Sequence, residues 1–328
     1  MTRFGRTIVV MGLVLGLVAP AARTVAAQEP TAEVAPEAVD PHKTQGEAEQ
    51  NQIDITHHIG DSHELEIPLV GVVELPRFAP IHVGGLTIDL SPTKHLVFML
   101  LAAALVAVVF VLSAGSIARA QARGRPPTGF AGAMEATALY IRQEVVLPNV
   151  GPHGEGFAPY LLTLFFFILA MNLLGLLPWG ATATGNIAVT AALAVIAFVV
   201  IEVTGMRTLG LKGYLKTIFY LPEGLPGGIG GTVLKVLLLA VMTPIELIGK
   251  LAKPFALAVR LFANMTSGHV LVLALIGLTF LFKSYLVGLA ASLLATGVMV
   301  LELFVAFLQA FVFTLLTAVF IGLMRAEH

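Results

Sequence analysis

The chain has 328 residues, 57% of them hydrophobic and only 12% charged, with a mean hydropathy of +0.90. Soluble domains carry roughly 25% charged residues, so this composition reads as an all-α membrane protein with several spanning helices. The net charge of −1 gives no basic excess for nucleic acid, and the absence of cysteine excludes disulfides, thiolate chemistry and cysteine-based metal sites.

Residues 1–27 have the form of a secretory signal peptide. Arg3 and Arg6 make a charged start, Thr7 to Ala22 an apolar stretch, and Val25-Ala26-Ala27 a small-residue cleavage site. An uncleaved signal anchor is the other reading, and both put Gln28 onward outside the cytoplasm. Residues 28–95 then form an extracytoplasmic extension. Its first part, 28–50, is rich in Glu, Ala, Pro and Gln and is expected to be disordered. Short β-like pieces follow at Leu65 to Val73 and Ile81 to Leu90, broken by Pro and Gly. His57, His58 and His63 are read as solvated surface histidines in preference to metal ligands. Twelve acidic and three basic residues lie between Gln28 and Leu96, whereas the remaining loops are mostly basic.

The region 96–328 is the membrane domain. Leu96 to Ala118 carries no charge and is long enough to span a bilayer, which takes ~20 residues. Arg119, Arg123 and Arg125 mark its end as cytoplasmic by the positive-inside rule. Gly129 to Val146 mixes apolar residues with Glu135, Arg142 and Glu144 and suits one helix on the cytoplasmic surface. Gly156 to Ile201 has no charged side chain at all. It reads as two spans broken between Pro178 and Asn186, with Trp179 at the outer interface.

A long apolar helix is expected from about Thr232 to Leu278, and another from Ser284 to Met324, with Lys283 at the outer turn between them. At 1.5 Å per residue they run roughly 70 and 60 Å, so a ~30 Å hydrocarbon core requires both to lie strongly tilted. Gly288, Ala290, Ala291, Ala295 and Gly297 would let the pair pack closely. The total is five transmembrane helices plus one surface helix, with the N-terminus outside and the C-terminus inside.

Few polar residues interrupt the last two helices, and each is costly there. Arg260 cannot become neutral, and at mid-membrane it costs about 2.5–3.5 kcal/mol on insertion scales. In an unbroken helix, 100° steps place Glu246, Lys253, Asn264 and Ser267 within about 40° of Arg260, a polar stripe on an apolar helix. His269 falls near the opposite side and is expected to face the neighbouring helix. There Glu302 is the one carboxyl between Ser284 and Met324, and Gln309, seven residues on, shares its face. A His and a Glu that exchange protons beside an amide make a relay, not a nucleophile with its base. Plainer readings stand beside these. Lys250 and Lys253 can be snorkelling anchors, Asn264 and Gln309 interhelical glue, His269 a satisfied buried histidine and Glu202 a hydrated helix-end residue.

The run P-x-x-L-A-V-R-L-F-A-N-M-x-x-G-H from Pro254 to His269 resembles subunit a of F-type ATP synthases. L-Q-A-F-V-F at Leu308 to Phe313 and M-N-L-L-G-L-L-P at Met171 to Pro178 share the resemblance, which covers about Leu96 to the C-terminus. It implies a proton-translocating stator subunit in a bacterial inner membrane. Its implied partners are a rotating c-ring, the subunit b stalk and the other synthase subunits, with no bond chemistry and no cofactor in this chain. By the resemblance, Arg260 faces the essential carboxylate of the c-ring. Asn264, His269, Glu302 and Gln309 match the half-channel open to the outer side, and Glu246 matches an acid of the cytoplasmic half-channel. Gly175 stands where certain members have an aspartate, so no role carries over there. A secondary cation transporter is the first rival, but it favours repeated halves, and none is visible. A membrane scaffold with the polar residues as glue is the second.

Overall fold

A computed structural model describes residues 64–67, 71–78, 81–83, 86–88, 91–177, 182–219 and 229–326. The expected signal, the histidines at 57, 58 and 63, and Trp179 lie outside the described residues. In the extension, the stretch read as one β-like piece folds as an antiparallel hairpin, β1 (Glu64–Ile67) with β2 (Gly71–Glu74). A second hairpin pairs β3 (Ile81–Val83) with β4 (Leu86–Ile88).

The rest is helical, and five helices are long and apolar enough to cross a membrane. α1 (Lys94–Ala122) starts after Thr93 and ends at the basic stretch. α2 (Gly129–Tyr140) buries no residue, as a surface helix should. The helix continues to Val146 as expected, but its last turn changes character. From Ile141 to Val146 the chain widens into a π-helical segment, and Ile141, Val145 and Val146 are buried. The wider helical turn brings three β-branched side chains inward together, which a 3.6-residue period does not anticipate. A helical turn at Leu147–Val150 and a 3-10 turn at Gly154–Phe157 lead into α3 (Ala158–Gly175).

α3 is the central post. Leu161, Leu164, Phe165, Ile168 and Met171 are all fully enclosed. Phe166 meets Phe110 of α1 edge-on at 4.9 Å. Phe165 meets Phe307 of the last helix at 5.6 Å in the same way. A short 3-10 turn at Ala183–Gly185 then leads into α4 (Ile187–Ile218), capped by Asn186, whose side chain accepts from the Ala188 N–H at 2.8 Å.

α5 (Ile229–Phe282) runs 54 residues through Pro244 and Pro254. α6 (Tyr285–Ala326) runs 42. Their lengths come to about 80 and 63 Å, so neither stands upright in a ~30 Å hydrocarbon layer. Prolines inside α5 are tolerated because a membrane helix has neighbours to re-satisfy the freed carbonyls. The two helices are antiparallel, since Thr279 lies against Gly288, Gly268 against Glu302, and Lys253 over the Phe320 ring. Of the five small residues expected at this contact, Gly288, Ala291 and Ala295 are buried, at i, i+3 and i+7. Ala290 and Gly297 instead point away. One helix face is all the pair shares.

Candidate functional site

α5 differs from every other spanning helix in how little covers it. In its most apolar window only 6% of residues are buried, against 56% for the span ending at Gly175. Leu257, Ala258, Leu261 and Met265 face inward, and the opposite side is open. That open side is the polar stripe. Glu246, Lys253, Arg260 and Ser267 are exposed and Asn264 is half-buried. Because α5 is unbroken, the sequence geometry holds. Among the described residues, Arg260 has no hydrogen bond or salt bridge.

His269 and Glu302 lie at one level of the hairpin, on facing helices. Glu302 of α6 rests directly against Gly268 of α5, the residue before His269, so closely that a Cβ there would collide with the carboxyl. Its Oε1 is buried and accepts no hydrogen bond. His269 and Glu302 are both half-buried. Gln309, two turns further along α6, is buried at 6% exposure.

Around this point the bundle carries polar groups that the sequence reading left without a role. Asn172, fully enclosed on α3, donates from Nδ2 to the Ala306 carbonyl of α6 at 3.0 Å. Its Oδ1 accepts from the Thr184 hydroxyl at 2.8 Å. Ala306 is one turn from Glu302, so Asn172 ties the carboxyl-bearing helix to the central post. His95, at the start of α1, lies with Nδ1 3.1 Å from the Thr182 carbonyl oxygen. Thr182 in turn donates to the Gly175 carbonyl at 3.3 Å, and a Cβ at Gly175 would come within 2.8 Å of the Thr182 Cβ. No side chain has room at Gly175 unless Thr182 moves. The signal for Asn172 was its place in M-N-L-L-G, an amide in an otherwise apolar helix.

A second polar cluster lies toward the Arg325 end. Glu202 of α4 is buried, not hydrated as expected, and Lys250 of α5 is buried beside it at 5% exposure and not snorkelling. The Lys250 Nζ is 3.6 Å from Glu202 Oε2, a buried salt bridge. The Tyr214 hydroxyl donates to the same oxygen. Twelve residues of straight helix would hold Tyr214 ~18 Å from Glu202. The contact exists because α4 breaks at Gly210 (φ 68°, ψ 164°), a conformation that favours glycine, and its last turns fold back. Lys253 is exposed, as an anchor would be. No group of three or more metal-ligating side chains occurs among the described residues.

The geometry defines a multi-pass helical membrane protein whose least-covered helix presents an unpartnered arginine, with an acid, an imidazole and amides gathered behind it. That is the outline of an ion-translocating subunit that works against a partner. Residues 96–322 match the family model described as ATP synthase A chain. Similar proteins include ATP synthase subunit a of Chloroherpeton thalassium, 42% identical over 84% of this chain and 78% of that protein. ATP synthase subunit a 2 of Chlorobaculum tepidum is 45% identical over 83% of this chain and 73% of its own length. For ATP synthase subunit a of Myxococcus xanthus the figures are 42%, 81% and 85%. The chain belongs to the ATP synthase A chain family, as a multi-pass, proton-translocating membrane subunit that assembles with other ATP synthase subunits.

Proposed function

We propose that this chain is the stationary half of a rotary proton path, with Arg260 facing a carboxylate of a rotating c-ring. The observation that carries the reading is the open polar stripe of α5, with Arg260 unpartnered among the described residues. A permanent cation left bare on an apolar helix is expensive unless an acid from elsewhere meets it. A proton enters from the outer side past Gln309, Glu302, His269 and Asn264 and neutralises a ring carboxylate. The neutral acid can then turn into lipid, where an ionised one would be heavily penalised. After nearly a full turn it reaches the second half-channel near Glu246, where attraction to Arg260 favours release of the proton. Arg260 also keeps the two half-channels from joining. Each charge that crosses 100 mV is worth ~2.3 kcal/mol, which supplies the torque.

The buried, unpaired Oε1 of Glu302 supports its place in the path, because it leaves an acceptor position open to a donor. The basic residues at Arg119 to Arg125 and Arg207 to Lys216 assign their ends to the cytoplasm, and with them the C-terminus. The membrane is then the bacterial inner membrane, and a subunit b stalk holds the chain against the turning ring. Arg260→Ala tests the reading. ATP-driven proton pumping into membrane vesicles is expected to fall to background, and pumping at the native rate would remove the role assigned to Arg260.

A further inference from the structure

We infer that Glu202 and Lys250 are positioning residues for Arg260, and that their buried contact sets the rotation of α5 about its own axis. Something must set it. α5 is covered along one narrow face, and lipid chains are as apolar as Leu or Val, so apolar contacts hardly distinguish one rotation of this helix from another. Directional polar contacts do distinguish them. The Lys250 ammonium lies 3.6 Å from Glu202 Oε2, 3.4 Å from the Thr217 hydroxyl and 4.4 Å above the Tyr214 ring centre. All three partners belong to α4, and Tyr214 holds the same carboxylate oxygen from the other side.

Lys250 precedes Arg260 by ten residues, about 15 Å along the helix and 80° around it. With Lys250 fixed on α4, Arg260 is fixed outward. Turning Arg260 toward the bundle would pull Lys250 away and leave two buried charges unpaired, a strongly unfavourable outcome. The cavity beside the pair, bounded by Glu202, Lys250, Lys253 and Pro254, is about 20 Å³, room for one water. On the far side of Arg260, eight residues on, Gly268 abuts Glu302. The arginine therefore sits between two fixed points of α5.

The functional part of this inference rests on the proposed role of Arg260, so the orientation of α5 is read separately. The chain has no cysteine of its own. Single variants Ala263→Cys, Met265→Cys and Ser267→Cys in the detergent-solubilised full chain, free of its partners, therefore report one helical turn through labelling by N-ethylmaleimide. In the native background, cysteines replacing the exposed Ala263 and Ser267 label and one replacing the buried Met265 does not. Lys250→Met or Glu202→Gln is expected to spread labelling to position 265 and cut ATP-driven pumping at least tenfold. The exchange Glu202→Lys with Lys250→Glu is expected to restore both to within a few-fold of native. An unchanged labelling pattern in the single variants overturns the inference, as does an exchanged pair that labels or assembles no better than they do. A shifted pattern with native pumping leaves the orientation of α5 explained and removes Arg260 from the mechanism instead.

Discussion

Asn172 shows how much one side chain carries in a membrane interior. It is fully enclosed, and both ends of its amide are used, on the Ala306 carbonyl of α6 and on the Thr184 hydroxyl. Losing it leaves the enclosed Thr184 hydroxyl without its acceptor and takes a second hydrogen bond from the Ala306 carbonyl. Asn172→Leu, close in volume, is expected to destabilise the detergent-solubilised protein by about 1–3 kcal/mol, read as a lowered thermal midpoint. Thr184→Ala on top of it should cost little more, because one partner of the broken bond is then also gone. A double variant as far below the single as the single is below native would show that the two groups act independently. Residues of this kind were only half legible. The sequence marks an amide in an apolar run as unusual, but it does not say which helix the amide reaches.

At the scale of elements, the α5–α6 hairpin is organised by where side chains are missing. Gly268 leaves the space that the Glu302 carboxyl occupies, whereas a Cβ at Gly297 meets no atom within 4 Å. Gly268→Ala is expected to force the two helices apart and destabilise the hairpin by about 1–3 kcal/mol. Proton transport should fall with it, because Glu302 leaves its place against Gly268. Gly297→Ala is the matched control and should leave both stability and transport near native. Equal behaviour of the two variants would mean that the Glu302 contact sets nothing. The small residues of this hairpin were visible in the sequence as a group. Only the three at helical spacing, Gly288, Ala291 and Ala295, are buried, because a helix shows one stripe to one neighbour. The helix read over residues 129–146 forms, but its last turn buries a face that the pattern did not mark. A π-helical turn shifts the period, and Ile141, Val145 and Val146 go inward.

At the scale of the whole molecule, one face of a long helix is left bare, and the proposed function has a rotating ring meet it. In liposomes, the chain without a c-ring is expected to conduct protons no faster than lipid alone, and co-reconstitution with the ring should switch the flux on. A substantial flux through the chain alone would favour a transporter acting by itself. The number of spans, their order, the two overlong helices and the stripe around Arg260 were all present in the sequence, because each follows from the spacing of charges along apolar runs. Which polar groups are enclosed, and by what, was settled only in three dimensions. Glu202, Lys250 and Asn172 find partners on other helices, one of them only because α4 folds back at Gly210. The physical reason is that spanning segments are apolar on nearly every side, whether they face lipid or protein. Hydropathy fixes where such a helix begins and ends; its rotation, and so the fate of each polar side chain, depends on neighbours that the pattern does not name.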